Sequence, residues 1–240
     1  MMKSKLYTLL ALLLLCSCTD NPKNVTVVNS WPPIFPDYTE VTVPVGIAPL
    51  NFNVISDSLV ECVDVTITGE KGEPVHSNGK WAKFDIDNWH KLLDANTGSK
   101  LVVSVQAKIG GQWYKYNEFN IFVSEHPLEE WGLTYRRIAP GYEVYSSLGI
   151  YQRDLSNFEE FVIIDNEDSY GTCLNCHTPN KTNPEQFVFH VRGPHGATMI
   201  QQNGKREWLQ ARNDALGGSM VYPYWTNCLR VHDTLKFVKY

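Results

Sequence analysis

The residues whose types and spacing could do chemistry sit in one short run, Gly171-Thr172-Cys173-Leu174-Asn175-Cys176-His177. It contains Cys-x-x-Cys-His, the attachment pattern of c-type haem. The spacing has a physical reason. Two thiols two residues apart reach the two vinyl groups on one porphyrin edge and form thioethers, and the adjacent imidazole then binds the iron. On this reading Cys173 and Cys176 hold a haem c covalently and His177 is the proximal ligand. A distal ligand, if there is one, comes from His190, His195, Met199 or Met220, with His190 and Met199 as first candidates. A distal Met would favour a high potential and a distal His a lower one, while an empty position would admit small ligands. Each has a plainer reading: Met199 lies in an apolar step that suits strand core, and His190 stands between Phe189 and Val191.

Three other readings compete for the same cysteines. A redox-active Cys-x-x-Cys normally follows a strand and opens a helix, and Thr178-Pro179-Asn180 offers no such context. A disulfide could join Cys173 to Cys176, or bridges could involve Cys62 and Cys228; four cysteines allow three pairings. A zinc site could combine Cys173, Cys176 and His177 with a fourth ligand such as His190. No other chemistry is assembled: no Ser/His/Asp arrangement, paired acids in context or phosphate loop is visible. The reading is therefore not that of an enzyme. Glu129-Glu130, Glu159-Glu160, His76 and His90 read as surface.

The N-terminus bears on the haem reading. In residues 1–17, Lys3 and Lys5 precede an apolar stretch from Leu6 to Leu15, which suits a secretory signal and is too short for a membrane span. Leu15-Cys16-Ser17-Cys18 resembles a bacterial lipobox. Ser17 is the small residue that must precede the lipidated Cys, so Cys18 is the lipidation site and Cys16 fits poorly. Lipidation with two or more chains anchors stably. The expectation is a chain tethered in the cell envelope, on the periplasmic side or at the outer membrane. Its remaining cysteines then meet an oxidising compartment, where c-type haem is attached. The formal charge is −5. Losing Lys3 and Lys5 leaves 19 basic against 26 acidic residues, a net −7, so nucleic acid is not an expected partner. The expected partners are the membrane, through the lipid, and a redox or envelope protein.

The elements that must position these residues read as strands. The chain has 240 residues, 43% of them apolar and 20% charged, a composition too apolar for disorder. Residues 18–38, rich in Asn and Pro, suit a tether. From 39 to 124, alternation as in Val63-Asp64-Val65-Thr66-Ile67-Thr68 and Leu101 to Ala107, with a Gly110-Gly111 hairpin signal, suggests a small antiparallel Ig-like sandwich. Within it Asp87 to Ala95 is helical, with Asp87 as N-cap. Residues 125–240 form a second segment, with strands expected around Leu133–Ile138, Tyr142–Tyr145 and Phe161–Ile164. Residues 171–196, with little periodicity, read as a functional loop.

The stretch GTCLNCHTPNKTNPEQFVFHVRGPHG, with APGYEVYSSLGIYQRDLSNFEE before it and Val221-Tyr222-Pro223-Tyr224-Trp225 after it, resembles a family of Bacteroidetes envelope lipoproteins. They are labelled TolB-like or cytochrome c biosynthesis proteins. The resemblance covers residues 125–225. It implies a TolB-type β-propeller carrying a haem-binding loop, with Cys173, Cys176 and His177 as the matching residues. The whole is then mainly β: an Ig-like sandwich followed by a partial propeller. After Trp225 the family continues with further blades, whereas this chain reads Thr226-Asn227-Cys228 and stops at Tyr240. A propeller needs at least four blades of about 40–50 residues, so a truncated or frameshifted gene is expected. The alternative is a propeller-type interaction scaffold in which the Cys-x-x-Cys-His is disulfide-bonded or vestigial.

Overall fold

The computed structural model describes residues 21–128, 132–139, 147–168, 171, 174–180, 183–191 and 197–209. The chain is mainly β and divides into two compact units, residues 1–128 and 129–240. The signal and Cys18 lie outside the described residues, as do Tyr142–Tyr145, Cys173, His195, Met220, the Tyr-Pro-Tyr-Trp signature and Cys228. Among the described residues no helix is long and apolar enough to cross a membrane.

Unit 1 contains, in order, β1 (Thr26–Val27), β2 (Ile34–Phe35), β3 (Thr42–Val45), β4 (Asn53–Val54), β5 (Val60–Thr68), β6 (Val75–Gly79), α1 (Ile86–Ala95), β7 (Lys100–Ile109), β8 (Gln112–Lys115) and β9 (Phe119–Pro127). Seven strands form one sheet, and β2 pairs with β4 in a separate ribbon. The long strand β7 organises the sheet. One edge pairs with β5; the other is shared, Lys100–Val103 with β9 and Gln106–Ile109 with β8. The period-two pattern turns Val63, Val65, Ile67, Leu101, Val103, Val105 and Ala107 to one face, where all are fully buried. Against that face pack α1 and the inner residues of the ribbon, Ile34 and Val54.

Several sequence expectations change here. Two pairings are parallel, β1 with β8 and β3 with β9, not antiparallel as expected. Neither pair is joined by a hairpin, and a long connection lets a strand return in the same direction. Residues 26–35, read as tether, are pinned: Val28 N donates to Lys115 O at 2.8 Å and Asn117 N to Ser30 O at 2.9 Å. The helix starts one residue earlier than expected. Its N-cap is Asp85, whose extended backbone lets the carboxylate accept from Asn88 N at 3.0 Å. Asp87 instead sits in the first turn, where the helix dipole favours a negative charge. Gly110 and Gly111 both have positive φ, 57° and 83°, the geometry a tight two-residue hairpin demands. His76 is an exposed surface residue paired with Asp64, Nε2 to Oδ2 3.0 Å. His90 is half-buried, its Nε2 3.2 Å from Ile47 O.

Asn96 closes the helix and ties it to the β5–β6 loop. It is 2% exposed; its Nδ2 donates to Leu92 O and Lys71 O, both at 2.8 Å, and its Oδ1 accepts from Lys71 N at 3.1 Å. A Cβ on Gly69 would stand 2.2 Å from that Nδ2. Gly69→Ala therefore displaces the amide and orphans part of its network. The expected loss is about 1–3 kcal/mol, read as a lower urea midpoint with an unchanged slope.

Unit 2 contains β10 (Gly132–Ile138), β11 (Leu148–Asp154), β12 (Glu160–Asp165), β13 (Leu174–Asn180), β14 (Asn183–Val191), β15 (Ala197–Gln202) and β16 (Lys205–Leu209). They form two antiparallel sheets in chain order, β10-β11-β12 and β13-β14-β15-β16. Leu148, Ile150, Ile163 and Ile164 of the first share a core with Leu174, Phe187, Phe189, Val191 and Met199 of the second. Arg206 of β16 also donates from Nη2 to Ile163 O of β12 at 2.7 Å. Residues 174–180 and 183–191, expected as loop, are strands. Neither sheet is closed on itself.

Candidate functional site

The Cys-x-x-Cys-His run enters the second sheet at its edge strand. Leu174, inside the run, is fully buried in the inter-sheet core. Along β13 the register moves from Asn175↔His190 to Thr178↔Val188, so Cys176 and His177 together oppose the single residue Phe189. This is a β-bulge, and bulges re-aim side chains. The ring of His177, half-buried, reaches the neighbouring sheet, where Nε2 lies 3.1 Å from the carbonyl oxygen of Thr134 in β10. A carbonyl only accepts, so Nε2 carries a proton and donates it to Thr134.

That bond is the test of whether these residues suit a haem. Metal-binding histidines commonly donate their second ring N–H to a backbone carbonyl, which sets the tautomer and the ring orientation. Of the three motif groups only the His177 ring has a described side chain, and its Nε2 is taken up by Thr134. Coordination through Nε2 would require release from Thr134. The Thr134 hydroxyl beside it is buried without a hydrogen-bond partner.

The other candidate ligands are sorted by the faces of the sheet. Phe189↔Met199 and Phe187↔Gln201 are opposed pairs on the face that meets the first sheet. Met199 is on the side to which His177 reaches, but two strands away, about 10 Å, with Phe189 between. His190↔Thr198 is a pair on the opposite face, and His190 Nδ1 lies 3.0 Å from Thr198 Oγ1. The structure thus does not bring His190 to His177, either as a distal iron ligand or as a fourth zinc ligand, because the sheet itself separates them. Among the described residues no group of three or more His, Cys, Asp or Glu is placed to hold a metal ion.

A second constellation escaped the reading of the sequence. On the face of the three-stranded sheet, Glu160 accepts from the Tyr135 hydroxyl, from Arg137 Nη1 at 2.6 Å and from Arg153 Nη2 at 3.5 Å. The Arg137 guanidinium lies 4.1 Å from the Tyr151 ring centroid, and Tyr135 and Tyr151 stack at 6.1 Å. Glu160, expected as solvated surface, is the hub of this cluster. The missed signal is the repeated Tyr-x-Arg of β10 (Tyr135, Arg137) and β11 (Tyr151, Arg153), which period two places on one face. The hydrogen bond from Tyr135, helped by both arginines, holds the Glu160 carboxyl below the ordinary glutamate range. Desolvation, followed by that bond to Glu160, raises the Tyr135 phenol. A depressed folded-state pKa contributes stability above the unfolded pKa that is lost as pH falls through the folded one. Unit 2 is therefore expected to weaken as pH drops below about 4.5. Glu160→Gln should flatten that acid limb in a pH series of thermal melts.

No family model matches the chain, and no curated protein does.

Proposed function

We propose that this chain is an exported lipoprotein, anchored through Cys18 in the cell envelope. Its second unit carries one c-type haem on Cys173 and Cys176, with His177 as axial ligand. The role is electron transfer or haem-dependent sensing, and the bound haem would supply one-electron chemistry. The observation that carries the reading is Cys-x-x-Cys-His ending on an imidazole whose tautomer is set by a backbone carbonyl. The two successive antiparallel sheets packed face to face suit adjacent blades of a TolB-type propeller, and the strand-rich unit 1 is read as the Ig-like partner. The lipid anchor supports attachment outside the cytoplasm and a partner in the envelope.

One observation favours a second reading. Leu174 is locked in the inter-sheet core and His177 ties the two sheets, as they would in an interaction scaffold with a disulfide-bonded or vestigial motif. Expression of the full chain in a host competent for haem attachment separates the two. Peroxidase staining after a denaturing gel, with a pyridine haemochrome spectrum, reports covalent haem. Intact mature protein without either signal rejects the haem reading and leaves the scaffold.

A further inference from the structure

Unit 1 carries an apolar surface that its own core does not use. From Trp31 to Phe35 the chain alternates: Pro32 and Ile34 are buried, while Trp31, Pro33 and Phe35 face outward. The β2–β4 register pairs Ile34 with Val54 and Phe35 with Asn53. One step further, Ile55 N donates to Pro33 O at 2.7 Å. Opposed residues share a face, so Ile55 joins Pro33 and Phe35 on the outward side. Trp31, Phe35 and Ile55 are 53%, 65% and 53% exposed. Tryptophan with neighbouring apolar side chains suits the boundary between headgroups and acyl chains.

We propose that Trp31, Pro33, Phe35 and Ile55 form a docking surface for the lipid bilayer itself, the one that holds the Cys18 anchor. The proposal rests on the reading of Cys18 as lipidated. Two observations choose the bilayer as occupant. The first is reach: β1 is pinned to β8 from Thr26 onward. Only seven residues lie between Cys18 and Thr26, and the eight steps from one to the other span at most about 29 Å. The anchor thus keeps this end of unit 1 close to the membrane. The second is charge. Residues 24–70 contain no Lys or Arg, so the patch is not built to meet an acidic surface. Asp37 and Asp57 lie two residues from Phe35 and Ile55, so the patch inserts by apolar burial, prefers zwitterionic to anionic lipid, and on zwitterionic lipid is insensitive to salt.

The test uses the acylated mature protein on phosphatidylcholine vesicles brominated in the acyl chains. Mass spectrometry of the N-terminus first reads the anchor. Bromine quenching then reads docking, as the component of tryptophan emission present in the natural chain and absent in Trp31→Phe. That component should persist at high salt, and Phe35→Ser with Ile55→Ser should remove it while the protein still floats with the vesicles. Equal quenching of the natural chain and Trp31→Phe in vesicle-bound acylated protein overturns the docking and leaves the anchor standing. An N-terminus without acyl groups overturns the anchor and the proposal with it. Dimers in solution that Phe35→Ser dissolves, with Trp31 unquenched on vesicles, would reassign the patch to a second copy of the chain.

Discussion

Replacing both Cys173 and Cys176 by alanine should abolish covalent haem altogether, so that the Soret band and in-gel peroxidase signal of the natural protein disappear together. The thioethers are the only covalent links the motif offers, and a denaturing gel strips haem held by coordination alone. His177→Ala should behave differently. The thioethers still form, the gel signal remains, and the visible spectrum changes because the iron has lost its proximal imidazole. His190→Ala should leave the spectrum unchanged, since His190 lies on the far face of the sheet, beside Thr198. This graded pattern distinguishes the haem protein from the scaffold. In a scaffold no variant has a Soret band to lose, and His177→Ala costs only the bond to Thr134 O, about 0.5–1.5 kcal/mol. A natural protein lacking covalent haem, paired with a small loss of stability in His177→Ala, would decide for the scaffold.

Trp89→Ala should be the most damaging single substitution in unit 1. Trp89 is fully buried on α1, beside Leu92 and Leu93. Its ring stacks against Phe84 at 6.3 Å, and Nε1 donates to Ile47 O at 2.9 Å. Truncation removes a large ring, leaves a cavity between helix and sheet, and takes a hydrogen bond from Ile47. Lost burial and the cavity together cost about 3–5 kcal/mol. A domain of this size is stable by only about 5–15 kcal/mol. Trp89→Phe keeps an aromatic ring against Phe84 and gives up the Ile47 bond, for a smaller loss. Urea titration of the full chain followed by circular dichroism reads both variants. A Trp89→Ala midpoint close to that of Trp89→Phe would mean that packing at this position matters little.

The sequence carried most of the local structure because strand and helix patterns are short-range. The alternation of Val63, Val65 and Ile67, the Gly110-Gly111 turn and the apolar stripe of α1 each depend on neighbours a few residues away. The N-cap moved from Asp87 to Asp85 because both aspartates offer a suitable side chain, and only the backbone conformation selects between them. The expected loop over 171–196 failed for a related reason. Pro179 and Asn180 in the edge strand β13, and Asn183 and Pro184 at the very start of β14, mask a strand signal at places where a missing N–H costs little. Phe187, Val188 and Phe189 then bury themselves from a run without visible alternation.

What the sequence determined by itself is the chemical inventory: two thiols and an imidazole at Cys-x-x-Cys-His spacing, an N-terminal run of basic and then apolar residues, and a β-rich chain that punctuates itself with turns. These depend on residue identity and spacing alone. What the tertiary structure decided is which groups face one another. Thr134 meets His177 across 43 residues and Glu160 meets Tyr135 across 25. The face of one sheet separates His190 from His177, and two strands run parallel to β8 and β9. No local pattern encodes these meetings, because each follows from burying apolar faces of distant segments against one another, and the polar groups are carried along to whatever partners that burial provides.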